Sequence, residues 1–207
     1  MNSLTSISFV RHGHVHNPQR VYYGRLPRFR LSEEGVFQAK AASQVLQAQK
    51  LGAIFSSPLL RARQTALVIQ ADHSHLALHI SKWLNEVYFP FDGHPASELK
   101  ERDWDTYTDT PPEYEQPINV LERAQKFIKK ARRAYFGQHI VAVTHGDLIA
   151  FSILWAKSAP IRVEQSQKLR RLGIADEYPA PGSISTFVFA TEAIDELPRV
   201  GYVNPLL

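Results

Sequence analysis

Twice in this chain a histidine followed by glycine closes an apolar run: Val10-Arg11-His12-Gly13 and Val143-Thr144-His145-Gly146. Glycine lets the backbone turn sharply and approach a ligand closely, so each imidazole is expected at the rim of a sheet rather than in its core. A neutral imidazole nitrogen is a competent nucleophile toward phosphorus, and arginine forks bind the charge that a phosphoryl group spreads over its oxygens. Arg11 and Arg61 are the arginines placed to do so, and Glu86 is the carboxylate available to protonate a leaving alcohol. Glu98 and Asp92 occupy the same downstream stretch as Glu86 and stay open as alternatives for that proton.

The elements that must hold these groups are legible as alternation. Ile7 to Val10 and Ile140 to Thr144 read as buried strands, the last the clearest, with Ala53 to Ser56 a second and Leu78 to Ser81 a third strand between them; Ser185 to Ala190 and Arg199 to Val203 read as late strands, the second at an edge. Between them Ser32-Glu33-Glu34 starts a helix carrying Ala39, Ala42 and Leu46 on one face and stopping near Lys50 to Gly52. Ser57-Pro58 reads as an N-cap and an N1 proline opening a helix through Arg61, Thr65 and Ile69. Ile118 to Tyr135 repeats at helical spacing, with Arg123, Lys126, Lys130 and Arg133 as a solvated face and Gly137 as a C-cap; Asp147 to Trp155 is an apolar helix. Strands alternating with helices predict a three-layer α/β/α sandwich on a mainly parallel, mixed sheet. Ligands of such sheets bind outside the carboxyl ends of the strands, where His12, Glu86 and His145 all fall.

Composition removes competing chemistries. With no cysteine among 207 residues there is no disulfide scaffold, thiolate metal site or thiol nucleophile, and the only methionine is Met1. The length and 44% apolar content fit one domain over residues 1–207, interrupted by an irregular acidic excursion at about 87–117. The net charge of +4 is unevenly spread: the first thirty residues carry five arginines and no acid, and Glu86 to Glu122 carries ten acids. Met1 to Val10 lacks the basic start and apolar run of a signal peptide, and no apolar run approaches the roughly 20 residues that cross a bilayer, so a cytoplasmic location without membrane partners is expected. The basic runs lack the interleaved aromatics of a nucleic-acid platform.

Read in order, several motifs resemble the histidine phosphatases, the phosphoglycerate mutase-like superfamily. They are Arg11-His12-Gly13 with Asn17, Tyr23-Gly24-Arg25-Leu26-Pro27 leading to Leu31-Ser32-Glu33-Glu34-Gly35, Ser56-Ser57-Pro58-Leu59-Leu60-Arg61-Ala62-Arg63-Gln64-Thr65-Ala66, Leu84-Asn85-Glu86, and Val143-Thr144-His145-Gly146, together spanning about two thirds of the chain. The resemblance implies that His12 becomes phosphohistidine, that Arg11, Arg61 and a protonated or hydrogen-bonding His145 bind the phosphoryl oxygens, and that Glu86 protonates the leaving oxygen and then activates water. Asn17, Gly24 and Gly146 complete the implied phosphate- and substrate-binding surface. No metal or cofactor is implied, because the arginines supply the charge. The implied activity is phosphatase action on a small phosphorylated metabolite, with a phosphate-like anion in the pocket and a homodimer left open. A phosphoglycerate mutase-type transfer is the alternative, and a non-catalytic phospho-ligand binder stands behind both. The sequence departs from the family at His14, where an acid or amide is usual, and over Val87 to Gly93.

Simpler readings apply to other residues. His12, His14 and His16 alternate as strand metal ligands would, but Gly13 and Pro18 end the strand, so His14 and His16 are expected in a loop near the pocket. His73, His75 and His79 are expected exposed, and His139 on the surface before its strand. Arg63 faces away from Arg61, and Arg25, Arg28 and Arg30 are open between substrate-reading and solvated roles.

Overall fold

The computed structural model describes residues 4–207. The first three residues of the Met1 to Val10 stretch lie outside the described residues. Six strands form one sheet: β1 (Thr5–Arg11), β2 (Leu51–Ser56), β3 (Leu78–Ile80), β4 (His139–Thr144), β5 (Ile184–Phe189) and β6 (Arg199–Val203), in the order β3-β2-β4-β1-β5-β6. The first four positions in that order run parallel, β5 pairs antiparallel with β1 and β6 antiparallel with β5, so the sheet is mixed.

Period-two alternation divides the core between two layers. Ile7 and Phe9 of β1 and Ile140 and Ala142 of β4 point to one side, where α4 (Pro117–Ala134) and α5 (Gly146–Ala156) cover them. Val10, Val141 and Val143 point to the other, against α1 (Glu33–Gln47) and α2 (Leu60–Ala71). Both faces are covered, the condition for a parallel sheet and the reason β4 reads as a continuous apolar run. Phe9, Phe187 and Phe151 have no exposed surface, and each such side chain contributes roughly 1.5–3 kcal/mol on burial. The architecture is the α/β/α sandwich expected.

Local boundaries follow their caps. The Ser32 hydroxyl accepts from the Gly35 amide at 3.0 Å, opening α1 where the sequence predicts. Helix α1 ends at Gln47 and β2 begins at Leu51, earlier than Lys50 to Gly52 and Ala53 imply. Ser57 does not cap α2: the N-cap is Leu59 and no side chain caps it. Pro117 is the N1 proline of α4, behind a capping box formed by Gln116 and Asn119. Its C-cap is Tyr135, with Gly137 two residues beyond at φ 71°.

The acidic excursion is packed against the body. It holds α3 (Ala96–Glu101), a bridge from Pro95 to Val21, and the buried side chains of Val87, Phe89, Leu99 and Tyr107. Between α5 and β5 the chain forms α6 (Val163–Ser166) and a 3-10 turn at Leu169–Leu172, for which the sequence offered no periodicity. Three surface expectations are overturned. His73 is buried; His139 is the first residue of β4, its Nε2 2.8 Å from the Ser8 hydroxyl; and Arg123 is pinned by Glu115 rather than solvated.

Candidate active site

Register brings the motifs to one rim. Arg11 at the end of β1 pairs with Thr144 at the end of β4, and Ser56 at the end of β2 pairs with Val143. The residues that follow, His12, His145 and Ser57, emerge side by side; the His12 amide donates to the Thr144 carbonyl and the Ser57 amide to the Val143 carbonyl. Glu86 arrives from β3 through the 3-10 turn Lys82–Leu84, which the Thr144 hydroxyl ties down by donating to the Leu84 carbonyl at 2.8 Å.

The His12 tautomer is set by its partner. Nδ1 lies 2.8 Å from the Gly13 carbonyl, which only accepts, so Nδ1 carries the proton and Nε2 the lone pair. Arg61, with no exposed surface, donates Nε–H to that nitrogen at 3.1 Å and its Nη2 to the Gly24 carbonyl at 2.7 Å and to Glu86 at 3.4 Å. The other face of Arg61 lies over the Tyr23 ring. His145 Nδ1 is 3.2 Å from Glu86, and its Nε2 is 2.8 Å from the Ser57 hydroxyl. Thr65 supports the floor, accepting from the Gly13 amide and donating to the Arg61 carbonyl.

A network on the far side clamps the backbone that carries Glu86. Arg25 donates Nε–H to the Glu86 carbonyl at 2.8 Å and pairs with Glu115 at 3.0 Å; Arg123 binds Glu115 and the Asn85 carbonyl, each at 2.7 Å. Gly24 is buried at φ 26°, and a Cβ there would collide with the Asp92 carboxyl. Arg11 is held by the Pro179 carbonyl at 2.6 Å and by the Tyr178 ring beneath its guanidinium. Its Nε is buried with no hydrogen-bond partner among the described residues. Tyr178 is itself held by Asp147, whose two oxygens accept from the Tyr178 and Tyr107 hydroxyls at 2.7 and 2.6 Å.

Burial pushes the His12 imidazole well below its ordinary range, and the charges of Arg61, His145 and Arg11 push the same way, so it is neutral and nucleophilic at neutral pH. Burial brings His145 down to about 4 against the pull of Glu86, so it works as a neutral hydrogen-bonding group rather than a cation. Burial alone would raise Glu86, but the hydrogen bond from His145, the charge of Arg61 and the Val87 amide outweigh it and hold the carboxyl below its usual range. Burial and the charge of Glu86 raise Asp147.

These groups border a cleft of about 560 Å³ whose wall includes Arg11, His12, Asn17, Gly24, Glu86 and Gly146. Ligand atoms of His12, Glu86 and His145 lie within 4.8 Å of one another, close enough for a metal ion. The donor set does not suit one: Arg61 already directs its cationic N–H groups at all three residues, and a metal would have to share that space with a guanidinium.

The structure thus brings His12, Arg11, Arg61, Glu86 and His145 together, with Arg61 and His145 buried beneath the cleft surface. Both ends of the Asn17 amide engage the Val21 backbone, which closes the loop, and one N–H remains free. His14 and His16 are exposed and absent from the cleft wall; His14 faces Ser32 and Glu34. Glu98 is on the surface with His94, and Asp92 accepts from the Arg25 amide, leaving Glu86 the carboxylate at the histidines. Sequence reading missed Ser57, Asp147 and Tyr178. Ser57 was read as a cap, and Asp147 begins a helix otherwise read for its apolarity.

Comparison with known proteins places the arrangement. Residues 7–174 match the family model of the histidine phosphatase superfamily (branch 1). An uncharacterized protein of Mycobacterium tuberculosis is 35% identical over 152 residues, which cover 70% of this chain and 75% of the relative. Phosphoserine phosphatase 1 of Hydrogenobacter thermophilus is 28% identical over 151 residues, covering 69% and 71%. The fold is shared with the mycobacterial glucosyl-3-phosphoglycerate phosphatase, at a TM-score of 0.78, 21% identity and coverage of 97% of this chain and 99% of that one. It is shared too with the Entamoeba histolytica phosphoserine phosphatase in complex with 3-phosphoglyceric acid, at 0.73 and 22%, covering 98% and 100%. The chain belongs to the histidine phosphatase superfamily.

Proposed function

We propose that this protein hydrolyses a small phosphomonoester through a phosphohistidine on His12. The observation that carries the reading is the His12 tautomer: Nδ1–H is spent on the Gly13 carbonyl, and the Nε2 lone pair stands at the cleft with Arg61 Nε–H 3.1 Å away. Nε2 attacks phosphorus as the ester P–O bond breaks, and Glu86 gives its proton to the departing alkoxide. A phosphoryl group bonded to Nε2 has its oxygens beside the Arg61 guanidinium, in the cleft that Arg11 also lines. Water then attacks phosphorus, loses a proton to Glu86, and the P–N bond breaks to release phosphate and neutral His12.

Glu86 is ionised in the free site, so its proton comes with the substrate. A bound phosphoryl group adds negative charge beside Glu86 and draws Arg61 away from it, and both changes raise the carboxyl. Charge stabilisation falls to arginine rather than to a metal, so the activity is expected to persist with a chelator present.

Replacing His12 with Ala should lower phosphate release from p-nitrophenyl phosphate by roughly 10³-fold or more and abolish an acid-labile phosphoenzyme trapped by rapid quench. Substantial activity left in a clean His12→Ala preparation would sink the reading. Isomerised phosphoglycerate in place of free phosphate would redirect it to the mutase.

A further inference from the structure

The phosphoryl end of the cleft is cationic and the remainder is not. Among the described residues of the cleft wall, Arg11 is the one side chain with a permanent positive charge; Arg20, Arg25, Arg28 and Arg30 do not line it. Of the wall's carboxylates, Asp147 lies with Glu86 and Arg11, and Glu177 is on the segment paired with Leu169, near Gln167. Both Asp147 oxygens are occupied by tyrosine hydroxyls, whereas the exposed Glu177 side chain makes no hydrogen bond or ion pair among the described residues.

The wall also holds a displayed aromatic. Trp104 is 49% exposed, and its ring joins no aromatic or cation-π pair among the described residues. It sits in a turn where two successive non-glycine residues, Asp103 and Trp104, have φ of 50° and 60°, a conformation that side chains rarely adopt. The turn is held by the Trp104 amide donating to the Leu99 carbonyl and by Gln167 donating to the Asp103 carbonyl at 3.1 Å. An indole kept at a cleft wall by a costly backbone has an apolar face to offer a ligand.

Building on the phosphatase reading, we infer that the cleft selects monoesters whose alcohol carries no anionic group, with one phosphoryl group, and favours those whose ring lies on Trp104. A carboxylate or second phosphate that reaches the Glu177 side of the cleft meets an unpaired carboxylate, and Arg11 is the one permanent cation of the described cleft wall, so like charge there is an effective means of rejection.

Matched substrates test this with one carboxylate as the difference. Glycerol 3-phosphate is expected to exceed 3-phosphoglycerate in kcat/KM by about tenfold, and phosphoethanolamine to exceed phosphoserine similarly. The Glu177→Lys variant, changed at an exposed position, should close most of both gaps. Trp104→Ala should raise KM for phenyl phosphate about three- to tenfold more than KM for glycerol 3-phosphate. Equal or better turnover of the carboxylate-bearing member of either pair, or a gap that Glu177→Lys leaves as it was, overturns the charge argument. A Trp104→Ala effect equal on both substrates overturns the aromatic one. p-Nitrophenyl phosphate keeps the two levels apart: no phosphate release from it brings down the phosphatase reading itself, whereas turnover of it with no preference in the pairs brings down only this inference.

Discussion

A guanidinium without exposed surface is costly to keep, and Arg61 offsets that cost by touching three of the other candidate groups at once: the His12 lone pair, the Glu86 carboxylate and His145. Glu86 is the residue whose assignment most needs testing, because the same contacts that keep it in place keep it ionised. Glu86→Gln should slow glycerol 3-phosphate hydrolysis about 10²-fold and p-nitrophenyl phosphate hydrolysis by less than about tenfold, since a good leaving group needs little proton donation. Equal losses on the two esters would assign the proton to another group. At this scale the sequence was legible where a rare pairing of types recurs: two His-Gly dipeptides, each after an apolar run, name His12 and His145. It was not legible where a common residue acquires its role from a distant partner. Ser57 before a proline has the pattern of a cap, and only the register of β2 against β4 turns its hydroxyl to His145.

Among elements, the close approach of the β1 exit to the first turn of α1 controls where His12 stands. A Cβ on Gly13 would strike the Gly35 carbonyl, and one on Gly35 would strike the His14 carbonyl, so two backbones are in contact with no side chain between them to yield. Gly35→Ala should therefore destabilise by about 1–3 kcal/mol, lower Tm by about 5 °C and reduce kcat by displacing His12. Gly201→Ala on the edge strand β6, where the added carbon meets nothing within 4 Å, serves as the control and should leave both unchanged. Thermal melts and steady-state assays of the two variants decide it; a Gly35→Ala protein as stable as the control would refute the interlock. Period and capping chemistry made most elements legible, from Ser32 at the head of α1 to the run of β4. The region between α5 and β5 was opaque because its short helix and turn are shaped by packing of single residues such as Leu169, which leaves no periodic trace.

For the molecule as a whole, burial of imidazoles sets the acid limit of stability. His12 and His139 are held below their ordinary value, and His145 at about 4, whereas the unfolded chain takes up these protons near pH 6.5. Between those values the unfolded state binds more protons, so stability is full above about pH 6.5 and is lost as pH falls toward 4. Glu86, also depressed, adds a further loss below the ordinary carboxylate range, and Asp147, which burial raises, opposes it in part. Melts of the free protein should show Tm falling steadily from pH 6.5 to 4.5; a flat or rising Tm there would mean that the histidines are charged in the fold.

The strand that presents His12 also dictates when the site can come into being. Ser8 in β1 bonds to His139, 131 positions downstream, and to Thr186, 178 positions downstream, because both neighbours of β1 are encoded late. During synthesis β1 leaves the ribosome before both of its sheet neighbours and waits, unpaired, for them to follow. Closing such long loops is slow, and an apolar strand left open meanwhile is exposed to aggregation. Assembly of the candidate site is therefore a late event of biogenesis, and a nascent chain that has not yet delivered β4 has no cleft of this kind.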